Sequence, residues 1–370
     1  MVIGIPKEIK PEENRIAIVP GGAETLVHKG HKVIIEKNAG LGSGFSDDEF
    51  MQAGAHLSDR HEDVFTEADL VLKVKEPLPE EYGLLREGQI LFTYLHLAAS
   101  EELTRNLLKR KIVGIAYETV QTEDGFLPLL APMSEIAGRM APQEGAKYLE
   151  ETYGGRGILL GGVAGVPPAN VVILGGGNVG HNAARIALGM GASVTVLDSN
   201  PRKLRSLDDF FQGRITTMIA DNYNIRMVAG YADLLICAIL VPGAKAPRLI
   251  TREMLKMMRP GSVLIDVSID QGGCAETSRP TTHSHPIYQE EGVIHYAVSN
   301  MPGAVPRTST RALTLNTLPY VLEIADKGWK KAARENLSLA KGFNLIEGRI
   351  TYKAVAEAFS LPYIPLKEVL

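Results

Sequence analysis

Three glycines and one aspartate near the middle of the chain have types and a spacing that suit one kind of chemistry. Gly175, Gly177 and Gly180 follow the apolar run VVIL, and Asp198 ends the next apolar run, SVTVLD. The first glycine permits a tight turn, the second lets a pyrophosphate approach the backbone, and the third allows a helix to pack closely on a strand. Glycines also serve ordinary turns. Strand, helix, second strand and acid together nevertheless predict a Rossmann unit that binds a dinucleotide at a helix N-terminus.

The aspartate also bears on which dinucleotide is bound. A carboxylate accepts hydrogen bonds from the ribose 2′-hydroxyl and repels a 2′-phosphate, so Asp198 predicts NAD rather than NADP. Arg202 and Lys203 lie just beyond Asp198 and would partly offset this preference. A solvated first helical turn is the simpler interpretation of this pair, and we favour it for Arg202.

The composition excludes several classes of function. The chain has 370 residues, of which 45% are hydrophobic and 22% charged, as is typical of a soluble globular protein with room for two domains. A net charge of −4 gives no reason to expect nucleic acid or an anionic membrane as a partner. Cys237 and Cys274 lack metal-type spacing and the histidines do not cluster, so we expect no bound metal. No signal-type core or membrane-length apolar run is present, so the cytoplasm is the expected compartment.

The first third of the chain shows the pattern of an α/β protein. In residues 1–130 short apolar runs alternate with helical patterns, which predicts a mostly parallel sheet with helices on both faces. The predicted strands are 2–5, 32–36, 69–75, 90–95 and 112–118. The predicted helices contain GGAETLVHKG, SDDEFMQAGA and SEELTRNLLKRK. A long helix over about 133–153 then connects to the second half of the chain.

A second series of strands and helices begins at residue 171. The predicted strands after the glycine turn are 193–198, 216–220, 233–240, 262–270 and 293–300. The predicted helices are 181–192, 201–211, 222–231, 251–259 and a long one from 308, kinked at Pro319. The tail KGFNLIEGRITYKAVAEAF is expected to add helix and turn. We infer that this C-terminal part returns to cover the first domain, because a few helices alone would bury too little surface.

Motifs along the whole chain converge on one family. They are VIGIPKEIKPEENRIAIVPGG, LVLKVKEPLPEEY, LFTYLHLA, PMSEIAGRMAPQEGA, GGGNVG with VTVLD, LVPGAKAP, DVSIDQGGCAETSRPTTHSHP and NMPGAVPRTST. In these motifs the chain resembles the bacterial L-alanine dehydrogenases from end to end. The resemblance implies a Rossmann NAD-binding domain at 133–306. It also implies a second Rossmann-like α/β substrate domain, formed by 1–132 and 307–370, and a cleft between the two.

The resemblance also implies an activity. It indicates an oxidoreductase that uses NAD to deaminate L-alanine reversibly to pyruvate and ammonia, usually as a homohexamer. Hydride transfer from the α-carbon leaves an iminium, and addition of water gives a carbinolamine. The carbinolamine releases ammonia once a proton has moved from oxygen to nitrogen.

Four residues are assigned to the substrate by the resemblance. Arg15 binds the carboxylate, which a planar guanidinium suits, and Lys75 stabilises charge on the substrate oxygen. His96 and Asp270 carry protons, because imidazole titrates near neutrality and the acid follows a strand whose carboxyl end should face the ligand. Without the resemblance, a surface arginine, a solvated lysine and a core histidine are the simpler interpretations. A turn aspartate is the alternative for Asp270, and there we favour the functional role.

Two neighbouring residues compete for these assignments. Lys73 lies two residues before Lys75 on the same nominal face of its strand, and only the motif position separates the two lysines. Asp266 lies four residues before Asp270, on the same face and deeper in its strand.

The remaining cofactor contacts come from the resemblance alone. They are Ser134, Asn178, Val179, Lys203, Ile239, Leu240, Val267, Ser268, Ile269, Arg279, Val298, Ser299, Asn300 and Met301. Three positions depart from the family: Ala220 stands where relatives often carry serine, and Ser268 and Ser299 stand where they commonly carry alanine. These departures bear on cofactor affinity more than on the reaction.

Other functions share this architecture. The NAD(H)-binding component of a proton-translocating nicotinamide nucleotide transhydrogenase has a neutral residue where DQGGC places Asp270. A degenerate NAD-binding regulatory protein would lack a catalytic position, and none is lacking here. Lysine-pathway dehydrogenases of similar architecture stay open as an alternative, because their longer substrates call for a larger pocket and the sequence does not measure pocket size. We therefore predict alanine dehydrogenase activity, with the transhydrogenase component as the alternative.

Overall fold

The chain forms two compact units in the computed structural model, which describes residues 1–239 and 246–370. The first unit comprises Met1–Met133 and Val305–Leu370, and the second comprises Ser134–Ala304. Each unit contains one largely parallel sheet flanked by helices, so the predicted α/β class is confirmed. Among the described residues, no helix combines the length and apolarity needed to cross a membrane.

The N-terminal part of the first unit supplies six parallel strands. They are β1 (Val2–Ile5), β2 (Lys32–Glu36), β3 (His56–Ser58), β4 (Leu70–Leu72), β5 (Ile90–Thr93) and β6 (Val113–Ala116). The helices between them are α1 (Pro20–His28), α2 (Asp47–Gln52), α3 (His61–Glu67), α4 (Pro79–Tyr82) and α5 (Glu101–Arg110). The three central strands β4, β5 and β6 are buried along their whole length, which is why they read as continuous apolar runs.

The connecting helix α6 (Ala131–Tyr148) is shorter at its C-terminal end than predicted. After Tyr148 the backbone bonds tighten to the i to i−3 pattern, as in Glu150 N–H to the Lys147 carbonyl at 3.2 Å. A separate 3₁₀ turn then covers Glu151–Tyr153. The prediction of one helix to about residue 153 is therefore wrong over its last turn.

The second unit is built on a seven-stranded sheet. Its strands are β7 (Asn170–Leu174), β8 (Ser193–Asp198), β9 (Thr216–Ile219), β10 (Leu234–Cys237), β11 (Val263–Asp266), β12 (Ile287–Glu290) and β13 (Val293–Tyr296). Its helices after α6 are α7 (Asn178–Gly189), α8 (Pro201–Phe211), α9 (Asn222–Ala229) and α10 (Arg252–Met257). The strand order is β12-β13-β11-β10-β7-β8-β9, in which β12 alone runs antiparallel.

The C-terminal part completes the first unit. It contains α11 (Pro306–Lys327), α12 (Trp329–Glu335), α13 (Leu337–Ala340), β14 (Phe343–Ile346), β15 (Arg349–Ile350) and α14 (Lys353–Ala358). β14 pairs antiparallel with β6, which gives the eight-stranded order β15-β14-β6-β5-β4-β1-β2-β3. The prediction of helix and turn was therefore wrong for FNLI and RI. Glu347 and Gly348, with φ of 48° and 82°, form a tight hairpin turn that the flanking apolar runs did not reveal.

Several strands end earlier than predicted, and this changes the local structure around three of the predicted site residues. β4 ends at Leu72, β5 at Thr93 and β11 at Asp266. Lys75, His96 and Asp270 therefore lie in the loops that follow these strands, and not within them. Short 3₁₀ turns follow two of these strands, at Leu97–Ala99 and Val267–Gln271.

Candidate functional site

The glycine turn joins β7 to α7 in the second unit. Gly175 has a φ of +104°, and a Cβ on Gly180 would overlap the Gly175 carbonyl oxygen, so helix and strand approach as closely as backbone allows. Gly177 has no atom within 4 Å of the position of a Cβ, and no side chain caps α7 at this residue. This cradle fits a pyrophosphate, which can approach the backbone of Gly177 at the positive end of the helix dipole.

Asp198 ends β8 and is held by two backbone groups. Its Oδ2 accepts the Gly176 N–H at 2.8 Å, and its Oδ1 accepts the Asn200 N–H at 2.8 Å. The carboxylate therefore holds the glycine turn against the start of α8. Asp198 has this structural role whether or not it also binds a ribose. Lys203 Nζ lies 3.8 Å from Oδ2, while Arg202 is exposed.

A cavity adjoins this turn between residues of α7 and α8. Its volume is about 430 Å³, within the usual range for part of a ligand site. It is lined by Gly176, His181, Arg202, Lys203, Ser206, Leu207 and Phe210.

The two aspartates that follow β11 have different surroundings. Asp266 is fully buried and accepts the N–H groups of Ser268 at 3.0 Å and Cys274 at 2.8 Å, together with the hydroxyl of Ser278. Burial raises the pKa of Asp266, and these hydrogen bonds oppose the rise. Asp270 is exposed. Asp266 therefore shapes the loop, and of the two acids Asp270 is the one that solvent and a ligand can reach.

Ser268 acts on the backbone of the neighbouring strand end. It is buried, and its Oγ accepts the Ile239 N–H at 3.0 Å and donates to the Ile239 carbonyl at 2.8 Å. The Ser268 hydroxyl thus ties the loop after β11 to the segment that follows β10. Leu240, the next predicted cofactor contact, lies outside the described residues.

The other predicted cofactor contacts are spread over the second unit. Asn178 is exposed, Ser134, Val179, Val267, Ser299 and Asn300 are partly exposed, and Ile269, Val298 and Met301 are buried. Asn300 has a φ of 67°, and its carbonyl accepts the Gly303 N–H at 2.8 Å. Arg279 is exposed, with its guanidinium 4.1 Å from the centre of the Tyr288 ring.

Arg15 lies between β1 and α1 in the first unit and is only 2% exposed, so the interpretation as a surface arginine is wrong. Its Nε and Nη2 donate to the two carboxylate oxygens of Glu13 at 2.7 and 2.5 Å. Its Nη1 lies 3.2 Å from Met133 Sδ. Burial alone would lower the pKa of Arg15, but Glu13 raises it, so the cation is kept and its plane is fixed.

The structure separates the two candidate lysines. Lys73 is buried, and its Nζ lies 2.8 Å from Glu81 Oε1 and 3.1 Å from Glu8 Oε2. Lys75 lies three residues after the end of β4 and is partly exposed. The ammonium of Lys73 is therefore enclosed by carboxylates of the fold, and Lys75 is the lysine that a substrate can approach.

His96 is exposed in the loop after β5, so the interpretation as a core histidine is wrong. Its backbone is in the left-handed region with φ of 47°, which is uncommon for a residue other than glycine. Glu118 holds this conformation by accepting the His96 N–H at 2.7 Å. The imidazole stacks on Tyr94 with 5.9 Å between ring centroids. Strained backbone that the surroundings fix in this way is a frequent property of functional residues.

Three glutamates near these groups were missed by sequence reasoning. Glu13 fixes Arg15, Glu118 fixes the backbone of His96, and Glu8 contacts Lys73. Glu13 had a weak signal, since it lies two residues before Arg15. Glu8 and Glu118 had none, because their partners lie far away in sequence. Within residues 1–239 and 246–370, no cluster of His, Cys, Asp and Glu side chains is suited to a metal ion.

Comparison with known proteins places the whole chain in one family. The sequence model described as "Alanine dehydrogenase/PNT, N-terminal domain" matches residues 4–137, and the one described as "Alanine dehydrogenase/PNT, C-terminal domain" matches residues 141–353. An alanine dehydrogenase of Methanococcus maripaludis is 59% identical over an aligned length of 371 residues, which covers 100% of each chain.

Two solved structures extend this comparison to the fold. One described as an L-alanine dehydrogenase matches with a TM-score of 0.94 and 49% identity over 97% of this chain and 99% of that one. A transhydrogenase from Sinorhizobium meliloti matches with a TM-score of 0.80 and 24% identity, over 96% and 100% of the two chains, and shares the fold. On these matches, which run the length of the chain, the protein belongs to the alanine dehydrogenase/PNT family.

Proposed function

We propose that this protein is an NAD-dependent L-alanine dehydrogenase. In the proposed reaction L-alanine, water and NAD⁺ give pyruvate, ammonium, NADH and a proton, and the reaction is reversible. The observation that carries the proposal is the exposed carboxylate of Asp270 in the loop after β11. An acid at the carboxyl end of a strand in a dinucleotide-binding sheet stands where ligands of such sheets bind. The relatives named alanine dehydrogenase support the same activity.

The groups proposed for the substrate lie in the first unit. Arg15 binds the substrate carboxylate through a guanidinium that Glu13 holds in a fixed plane. Lys75 places its ammonium at the substrate oxygen, where it stabilises the charge of the carbinolamine and of the carbonyl that forms from it. His96 takes a proton from the water that adds to the iminium, and His96 and Asp270 are the carriers that return a proton to nitrogen.

The second unit is proposed to hold NAD. The pyrophosphate is assigned to Gly175, Gly177 and the start of α7, the ribose to Asp198, and the nicotinamide to the loops after β10, β11 and β13. When bound, NAD accepts the hydride from the α-carbon. Preference over NADP is proposed to come from the charge of Asp198, whose Oδ2 lies 3.8 Å from Lys203 Nζ.

We also propose that the protein acts in the cytoplasm as a homohexamer. Cys237 and Cys274 are both buried free thiols, which suits a reducing compartment. Light scattering on the purified protein measures the assembly, and a monomer would rule out this part of the proposal.

The activity itself is tested by NADH production from a panel of L- and D-amino acids. We expect L-alanine to reduce NAD⁺ faster than any other member of the panel. Folded protein that binds NADH but leaves NAD⁺ unreduced with L-alanine would refute the dehydrogenase proposal. That outcome would favour the alternative, a component that presents NAD(H) to a partner.

Replacing Asp198, the acid proposed to bind the ribose, should alter the preference for NADH over NADPH. Asp198→Ala removes both the proposed partner of the 2′-hydroxyl and the charge that repels a 2′-phosphate. We expect the Kd for NADH to rise about tenfold, the usual effect of losing one charge-assisted hydrogen bond. The ratio of the Kd for NADPH to the Kd for NADH should fall. Titration of both nucleotides measures this, with the exposed Asp209→Asn as a control of the same charge change. An unchanged ratio of the two Kd values would leave Asp198 only its role in the turn.

Replacing the guanidinium of Arg15 with an ammonium should weaken substrate binding more than nucleotide binding. Arg15→Lys keeps the charge but loses bidentate geometry toward both Glu13 and a carboxylate. We expect the KM for pyruvate to rise about tenfold or more while the Kd for NADH changes less. The exposed Arg60→Lys serves as the matched control and should alter neither constant. Equal rises in both constants would assign Arg15 to the fold of the first unit instead of the substrate.

Removing a proton carrier should slow turnover without weakening the nucleotide complex. His96→Ala and Asp270→Asn are each expected to lower kcat by ~10²–10⁴-fold, the usual contribution of a positioned acid or base. The Kd for NADH should stay within about twofold, because neither group is needed to hold the nucleotide. His28→Ala and Asp209→Asn, both exposed, are the controls. Near-normal turnover in His96→Ala would leave Asp270 as the only proposed carrier.

A further inference from the structure

The carboxylate of Glu8 reaches the backbone of the loop that carries Lys75. Its Oε1 accepts the Val74 N–H at 2.6 Å and the Lys75 N–H at 3.3 Å. On the other side of the same peptide segment, the Thr93 hydroxyl donates to the Lys75 carbonyl at 3.0 Å. The backbone N–H and carbonyl of Lys75 are thus both hydrogen-bonded by side chains of other segments. Lys75 lies beyond the end of β4 and outside its strand pairing with β1 and β5.

Glu8 is itself fixed by a chain of buried and partly buried charged side chains. Its Oε2 accepts from Lys73 Nζ at 3.1 Å, and Lys73 also contacts Glu81 Oε1 at 2.8 Å. The Nε2 of His61 lies 3.3 Å from the same Glu81 oxygen, and its Nδ1 lies 2.7 Å from Glu36 Oε2. We call Glu8, Lys73, Glu81, His61 and Glu36 the charge chain. It starts at Glu36 on β2, passes through α3 and α4, and ends on the backbone of Lys75.

Three members of the charge chain, Glu8, Lys73 and Glu81, are buried, and burying their charges is costly. Burial raises the pKa of Glu8, while Lys73 and the Val74 N–H oppose the rise. Burial also works against a charged His61, but its contacts with the carboxylates of Glu36 and Glu81 outweigh this and raise its pKa to about 9. Buried ion pairs are often no more stabilising than apolar residues of the same volume. Stability alone therefore gives no reason for these three buried charges.

We propose that Glu8 is a positioning residue, which sets the place of the Lys75 ammonium by holding the backbone of Val74 and Lys75. The proposal rests on the function proposed above, in which Lys75 contacts the substrate oxygen. Glu8 is 6% exposed and acts through Lys75. It has no assigned contact with substrate.

A double-mutant cycle tests this role. In reductive amination of pyruvate with NADH and ammonium, Glu8→Ala should raise the KM for pyruvate about tenfold, as expected for the loss of one hydrogen bond to a charged group. In a Lys75→Met background the same change should raise KM less than twofold, because the residue through which Glu8 acts is gone. Glu8→Gln should fall between wild type and Glu8→Ala, since its amide oxygen can accept from the backbone or from Lys73 but not from both.

The second hydrogen bond to the Lys75 backbone, from Thr93, allows the same test if Glu8→Ala fails to fold. Thr93→Val removes the hydroxyl that donates to the Lys75 carbonyl and keeps the shape of a buried side chain. It should also raise the KM for pyruvate, and less so when Lys75 is already Met. Equal rises in both backgrounds for the variants that fold would overturn the proposal.

Amide hydrogen exchange gives a readout that needs no substrate. The Val74 and Lys75 amides should exchange at least about tenfold faster in Glu8→Gln than in wild type, because their acceptor is weakened. Gln89→Leu is the matched control: it removes buried hydrogen bonds to the Phe65 and Ala68 carbonyls in the same unit, away from Lys75. Unchanged exchange in Glu8→Gln would contradict the positioning role. A wild-type protein without activity would instead refute the proposed function, so the two failures are distinct.

Discussion

The parallel pairing of β7 with β8 and β10 is the constraint on which the nucleotide site depends. Leu174 lies opposite both Leu197 and Cys237, so the three strands finish at the same edge of the sheet. The ladder then continues one residue further, with the Gly175 N–H donating to the Leu197 carbonyl at 2.7 Å. Because this register is fixed, the glycine turn and Asp198 come together at one edge of the sheet, where the Asp198 carboxylate accepts the Gly176 N–H at 2.8 Å. Parallel strands with buried faces tolerate no slip, since a shift of one residue would invert every side chain.

In the first unit, pairing of buried charges fixes the positions of the charged side chains. Arg15 and Lys73 are both almost fully buried, and each is matched by carboxylates at hydrogen-bond distance. An unpaired charge in such surroundings would be strongly destabilising. The pairs also remove rotational freedom from side chains that are long and flexible in water. A guanidinium held in one plane can recognise a planar carboxylate with little further loss of entropy.

The sequence allowed the fold class to be predicted because the decisive signals are local. The predicted helix 201–211 has the bounds of α8, which starts where the Asn200 side chain accepts the Arg202 N–H. The ends of strands were harder, because the last ladder position depends on the partner strand. The choice between Lys73 and Lys75 depended on Glu8 and Glu81, and the conformation of His96 depended on Glu118. These contacts join residues far apart in sequence and leave no local pattern.

The route of the chain has a consequence for biosynthesis. All residues of the second unit, 134–304, are contiguous, whereas the eight-stranded sheet of the first unit receives β14 and β15 only once residue 350 has been added. During translation β6 therefore emerges with an unpaired edge, and this edge persists while the ribosome synthesises more than half of the protein. Exposed strand edges are sites of wrong pairing with other chains. The nascent N-terminal segment is thus open to wrong pairing until β14 has been made, although it belongs to a well-packed unit once synthesis is complete.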